Sequence, residues 1–153
     1  MSAIDQKLAD LGIKLPEAPQ PVANYVPFLI SGELLFISGQ IAKDDSGRVL
    51  TGVLGDGVTV EQGQEAARHC ALNILAQAKA ALGDLARITQ VLRLTGFVAS
   101  TQSFTDQPKV INGASDLLVS VLGDTGRHTR SAVGVASLPL NACVEIDAIL
   151  KIR

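Results

Sequence analysis

The sequence predicts an α+β fold, a mixed β-sheet with two helices packed on one face. Two segments, Thr59–Leu82 and 107–122, carry apolar residues at helical spacing between a capping residue and a glycine. Segments 28–40, 88–100 and 143–152 read as strands, with the cleanest apolar alternation at the C-terminal end. The resulting order is hairpin, helix, strand, helix, strand, strand.

Residues 2–11 predict a short helix with Ser2 as N-cap, Ile4, Leu8 and Leu11 on one side, and Gly12 as the stop. Four prolines in 15–27 predict an extended arm that wraps across the surface, because each proline pushes the preceding residue out of the helical region. FLISGELLFISGQ reads as a hairpin turning at Ser31-Gly32-Glu33. Residues 42–58 are loop-like, with a short apolar piece at Val49–Leu54. Thr59 and Gln62 form a capping-box signature, and Gly83 ends the long helix. Its Ala67, Cys70/Ala71, Ile74, Ala78 and Ala81/Leu82 stripe is alanine-rich, so the helix is expected to lie close on a sheet. In Ile88–Ser100 the alternation places Ile88, Leu92, Leu94 and Val98 on one face, with Val91 and Phe97 on the other. Thr105 or Asp106 caps the second helix, which buries Val110/Ile111, Ala114, Leu117/Leu118 and Val121/Leu122 and stops at Gly123.

The segment Arg130–Ile149 reads as two strands joined by a short turn at Pro139. Arg130, Ala132, Gly134 and Ala136 share one face of the first strand. In the second, Val144, Ile146, Ala148, Leu150 and Ile152 face one way, and Cys143, Glu145, Asp147, Ile149 and Lys151 the other. An arginine with small neighbours can grip a carboxylate through two parallel hydrogen bonds, and a glutamate on the neighbouring strand can orient a water or hold a proton. The alternative is that Arg130 and Glu145 simply pair with each other at a subunit boundary. His69 reads as a surface residue of the long helix. His128 adjoins Arg130 and reads as a loop residue or as one that tunes the pocket.

The 153 residues suit one domain, 1–153, with 1–21 forming the N-terminal helix and proline-rich arm. With 47% hydrophobic, 3% aromatic and only 18% charged residues, the core is aliphatic and part of the surface is expected to be covered in an oligomer. A net charge of −2 without a basic run argues against nucleic-acid binding. The polar N-terminus and the lack of a long apolar run point to a cytoplasmic protein with no membrane partner. Cys70 and Cys143 fit buried, reduced thiols, and their spacing matches no metal motif. There is no glycine-rich phosphate loop, HExxH or nucleophile elbow.

LLFISGQ (34–40), AARHCALNILAQAKAALGDL (66–85) and R-S-A-V-x-V-A-x-L-P-x-x-x-x-V-E-I-D-A-I (130–149) together resemble the RidA/YjgF family, many of whose members carry the label endoribonuclease L-PSP. The resemblance covers roughly residues 22–153. NYVP, FTDQPKVINGASDLL and GRHTRSAVGVASLPLN resemble a long-loop subgroup. The resemblance implies a chorismate-mutase-like fold assembled as a homotrimer, with sites between subunits. It also implies hydrolysis of reactive enamines and imines, such as 2-aminoacrylate, to 2-keto acids and ammonia without a cofactor.

By resemblance, Arg130 binds the substrate carboxylate and Glu145 positions the attacking water. Ser38 and Gly39 line the pocket, Asn112 stands at the start of the second helix, and Tyr25 is contributed across the interface. Ala132 occupies the position where typical members have cysteine. If that position serves through its backbone carbonyl, alanine suffices, and imine hydrolysis needs mainly a placed water and a neutralised carboxylate. Two alternatives remain. One is a non-catalytic, regulatory binder of small carboxylates using the same cleft. The other, which the acidic charge disfavours, is RNA cleavage.

Overall fold

The computed structural model describes residues 1–21 and 23–153. Val22, within the expected proline-rich arm, lies outside the described residues. The elements are α1 (Ala3–Asp10), β1 (Phe28–Ser31), β2 (Leu34–Ile41), β3 (Val53–Leu54), β4 (Gly57–Val58), α2 (Val60–Leu82), β5 (Ile88–Ala99), α3 (Gln107–Leu122), β6 (Thr129–Val135) and β7 (Val144–Ile152). The main sheet is mixed and runs β1-β2-β7-β5-β6. Helices α2 and α3 cover one face. Among the described residues, no helix is long and apolar enough to cross a membrane.

Local signals account for most boundaries. Thr59 accepts from the Gln62 amide while the Gln62 side chain returns to the Thr59 amide, and Gly83 closes the helix at φ 76°. Such a cap is worth about 1 kcal/mol. Ser2 and Asp5 form the same box on α1. Asp5 also meets Lys79 of α2 at 3.1 Å. The Ser2 amide, followed by Lys79, lowers its carboxyl to about 2. The first hairpin pairs Ser31 with Leu34 across a two-residue turn, with Gly32 at φ 58°. The arm passes α2, where the Gln77 Nε2 donates to Pro19 O at 2.6 Å.

Alanines let α2 lie against both the sheet and α3, which is why Ala66, Ala67, Ala71 and Ala78 are fully buried. Leu94, Ile146 and Leu150 project from the sheet into the same core, each stabilising the fold by about 1.5–3 kcal/mol. The region expected as loop, 42–58, holds the short parallel pair β3–β4.

Three expectations change. In β5, register shifts after Ile88 and after Val91 insert extra residues. These bulges turn Val91 onto the helix face, where it is 1% exposed, and leave Leu92 only half-buried. Cys143 does not share a face with Glu145. It precedes β7 and is packed in the core with Cys70, and burial raises both thiols.

The third change concerns the arginine strand. β6 pairs in parallel with β5 and, among the described residues, has no other partner in the sheet, while β7 pairs antiparallel with β5 and β2. Arg130 and Glu145 are therefore not on neighbouring strands, because β5 runs between theirs. The connection β5–α3–β6 is a parallel crossover, which places β6 next to β5. Residues 136–143 then carry the chain past the end of β5, with Leu140 and Asn141 at positive φ.

Candidate functional site

Arg130 opposes Leu94, a core residue of β5, so its side chain emerges on the helix face. There it meets one side of α3. Nη1 donates to Asn112 Oδ1 at 2.8 Å and to Ser115 Oγ at 3.0 Å, and Nη2 donates to Pro108 O at 3.2 Å. Pro108, Asn112 and Ser115 recur at helical spacing beside the apolar stripe of α3. A guanidinium carries five N–H donors. Nε–H and one Nη2–H remain free of partners among the described residues, and these two hydrogens can lie along one edge. That edge matches the two oxygens of a carboxylate.

Behind Arg130, Ser115 Oγ lies 2.9 Å from His128 Nε2, and His128 Nδ1 lies 2.7 Å from Gly126 O. Ala132, next on the same face of β6, is half-buried against the core. Gly134 follows it, where a Cβ would strike Ser100 Oγ and Gln107 Nε2.

Glu145 stands on the other face of the sheet, opposite Phe97 and Ile41. The register of β2 against β7 shifts between Ile37 and Gln40, so Ser38 and Gly39 form a bulge. A Cβ on Gly39 would lie 2.8 Å from Glu145 Oε1, so glycine admits the carboxylate here. Ser38 donates through Oγ to Val26 O at 2.8 Å, tying the bulge to the chain beside Tyr25. A cleft of about 380 Å³ is lined by Tyr25, Gly39, Gln77 and Glu145, and a second of about 610 Å³ by Tyr25, Ser38, Gly39 and Asp147. Burial, followed by the negative charge of Asp147, raises the Glu145 carboxyl above its ordinary value. Burial also raises Asp147.

The structure thus gathers the expected site residues into two groups. Tyr25, Ser38, Gly39 and Glu145 surround the clefts on the open side. Arg130, Asn112 and Ala132 lie together between β6 and α3. Within one chain the two groups are on opposite faces, and Arg130 forms no ion pair with Glu145. Sequence reading passed over Ser115 and Pro108. The signal for Ser115 was its place three residues after Asn112, on the same side of the helix, whereas Pro108 acts through its backbone carbonyl and leaves no side-chain signal. His128 belongs with the arginine rather than to an idle loop, whereas His69, expected at the surface of α2, is mostly covered, with its side chain 14% exposed, and lies 3.3 Å from Glu65. Among the described residues, no three His, Cys, Asp or Glu side chains are grouped to hold a metal ion.

Comparison with known proteins agrees with this architecture. Residues 5–150 match the family model described as "YjgF/chorismate_mutase-like, putative endoribonuclease". The chain is 53% identical to Protein TCP17 of Trypanosoma cruzi over 95% of this chain and 92% of that protein. It is 29% identical to a 2-iminobutanoate/2-iminopropanoate deaminase of Dermatophagoides farinae, over 92% of this chain and 95% of the relative. The crystal structure of the protein Atu1372 with unknown function from Agrobacterium tumefaciens superposes with a TM-score of 0.90 at 55% identity, covering 98% of this chain and 94% of that one. With its mixed sheet, its helices on one face and a family match spanning nearly all its length, the chain belongs to the RidA/YjgF family.

Proposed function

We propose that this protein hydrolyses small 2-imino acids and their enamine tautomers to 2-keto acids and ammonia, as a homotrimer with its sites between subunits. The observation that carries this reading is the state of Arg130. Three acceptors of α3 hold it, no carboxylate partners it among the described residues, and one edge of its guanidinium is left for an anion. A substrate carboxylate on that edge fixes the imine carbon in place. Glu145 takes a proton from a water as the water adds to that carbon. It passes that proton to the nitrogen, giving a carbinolamine, and then moves the carbinolamine's hydroxyl proton to the nitrogen as the C–N bond breaks, so that ammonia leaves and the carbonyl forms. Its raised carboxyl suits a group that must both accept and give a proton. Asn112 supports the arginine. Tyr25, Ser38 and Gly39 wall the Glu145 side, and Ala132 leaves room beside the carboxylate. The deaminase relative supports the same chemistry.

The test is release of keto acid from 2-aminoacrylate generated in situ. Wild type is expected to accelerate it over the spontaneous rate, and Arg130→Ala to lose about 100-fold or more in kcat/KM. No acceleration by wild type sinks the enzymatic reading. A second reading, a non-catalytic binder of small carboxylates, is favoured by the separation of Arg130 from Glu145 within one chain. It expects saturable keto-acid binding that requires Arg130, without turnover.

A further inference from the structure

We propose that Ser115 and His128 are positioning residues for Arg130, forming with the Gly126 carbonyl a hydrogen-bonded relay that orients the carboxylate-binding edge. The proposal rests on the reading of Arg130 as the carboxylate anchor. A carbonyl oxygen only accepts, so the contact of His128 Nδ1 with Gly126 O puts a hydrogen on Nδ1. The Nε2 of the neutral ring then accepts, and the Ser115 hydroxyl donates to it. With its proton so committed, the Ser115 oxygen turns its lone pairs to Arg130 Nη1. Each step leaves one direction open to the next, and the chain ends on the guanidinium.

The far end of the relay is firmly held. Gly126 abuts α3 so closely that a Cβ there would lie 2.4 Å from Leu118 O. The Arg127 amide donates to Asp124 O, and Gln90 of β5 donates through Nε2 to Arg127 O. The carbonyl that orients His128 is therefore built into the junction of α3 with the sheet. Both hydrogens of Nη1 are used, by Asn112 and Ser115, which fixes the plane of the guanidinium against rotation about Cδ–Nε and leaves Nε–H with one Nη2–H as the unpaired edge. Without Ser115, one Nη1 hydrogen is released and the edge presented to the ligand is no longer unique.

The test measures binding of 2-oxobutanoate by calorimetry and, in parallel, nitrogen-15 spectra of His128 and the Arg130 Nε–H. Ser115→Ala is expected to raise Kd, and KM in the deaminase assay, about tenfold, with kcat within about twofold. Ser115→Thr keeps the hydroxyl and restores binding to within about threefold. Ser115→Ala combined with His128→Ala is no weaker than Ser115→Ala alone, because the two residues act in series. Additive losses, or a Ser115→Ala Kd within twofold of wild type, overturn the relay. If wild type binds no keto acid, the reading of Arg130 as the anchor falls. The spectra still decide the relay. It stands if His128 carries its proton on Nδ1 and Ser115→Ala shifts both the His128 ring and the Arg130 Nε–H, and it falls if Ser115→Ala moves neither.

Discussion

Glu145 combines two properties that conflict, and the conflict is measurable. Its carboxyl is raised by burial and then by Asp147, so the folded chain holds that proton more tightly than the unfolded chain does. The sign follows from linkage. As pH rises from the ordinary carboxyl range, about 4.3, through the raised value, the folded state loses stability, and above it the buried charge is a standing cost. Glu145→Gln removes that cost and keeps the side-chain volume. Thermal melts should show the variant about 1–3 °C more stable than wild type at pH 7–8, with the gap closing below about pH 4. Its kcat/KM for imine hydrolysis should fall about 10²- to 10⁴-fold. A variant that is both less stable at neutral pH and fully active would remove the proton-transfer role from Glu145. Such a trade between stability and activity is common where a site must keep an ill-solvated group.

Between helices, the decisive residue is Gly113. A Cβ there would lie 2.1 Å from the backbone oxygen of Gln64 on α2. Backbone cannot swing aside as a side-chain tip can, so Gly113→Ala must push α3 off α2. The expected loss is about 3 kcal/mol, or about 6–12 °C in Tm, read by calorimetry. Gly113 sits between Asn112 and Ser115, so carboxylate binding should weaken in the same variant. The elements themselves were legible because each announces itself locally: Thr59 with Gln62, Gly83, Gly123, and the alternation of Val144–Ile152. The strand order was not, because Arg130–Ile149 looks like a hairpin until α3 is seen to carry the chain across to the far side of β5. For the same reason the site residues were recognisable singly and not as two groups. Val91 was misplaced because a bulge changes the parity of a strand without any special residue to mark it. Ser115 escaped notice because a serine on a helix surface looks ordinary until an arginine from another element reaches it.

At the scale of the molecule, the helices cover one face of the sheet, and among the described residues β1 and β6 form its edges. Leu29, Phe36 and Val133 are 58%, 37% and 43% exposed on β1, β2 and β6, and half-buried Phe97 of β5 and Ile149 of β7 pair with them on the same face. An aliphatic, charge-poor chain with such a face has the means to associate, and the proposed ring of three copies would cover apolar surface of this kind. On the proposed trimeric reading, the separation of Arg130 from Glu145 gives the assembly a chemical purpose, since neighbouring copies would bring the two groups to one substrate. Light scattering should give a mass three times the 16.0 kDa of one chain. The stronger test mixes two inactive chains, Arg130→Ala and Glu145→Gln, co-expressed in equal amounts. If each site takes Arg130 from one copy and Glu145 from the next, about a quarter of the sites in randomly assembled trimers hold both intact residues. Imine hydrolysis should then return to about a quarter of the wild-type rate. If both residues served from the same chain, every site in the mixture would lack one of them, and activity would stay at the level of the single variants.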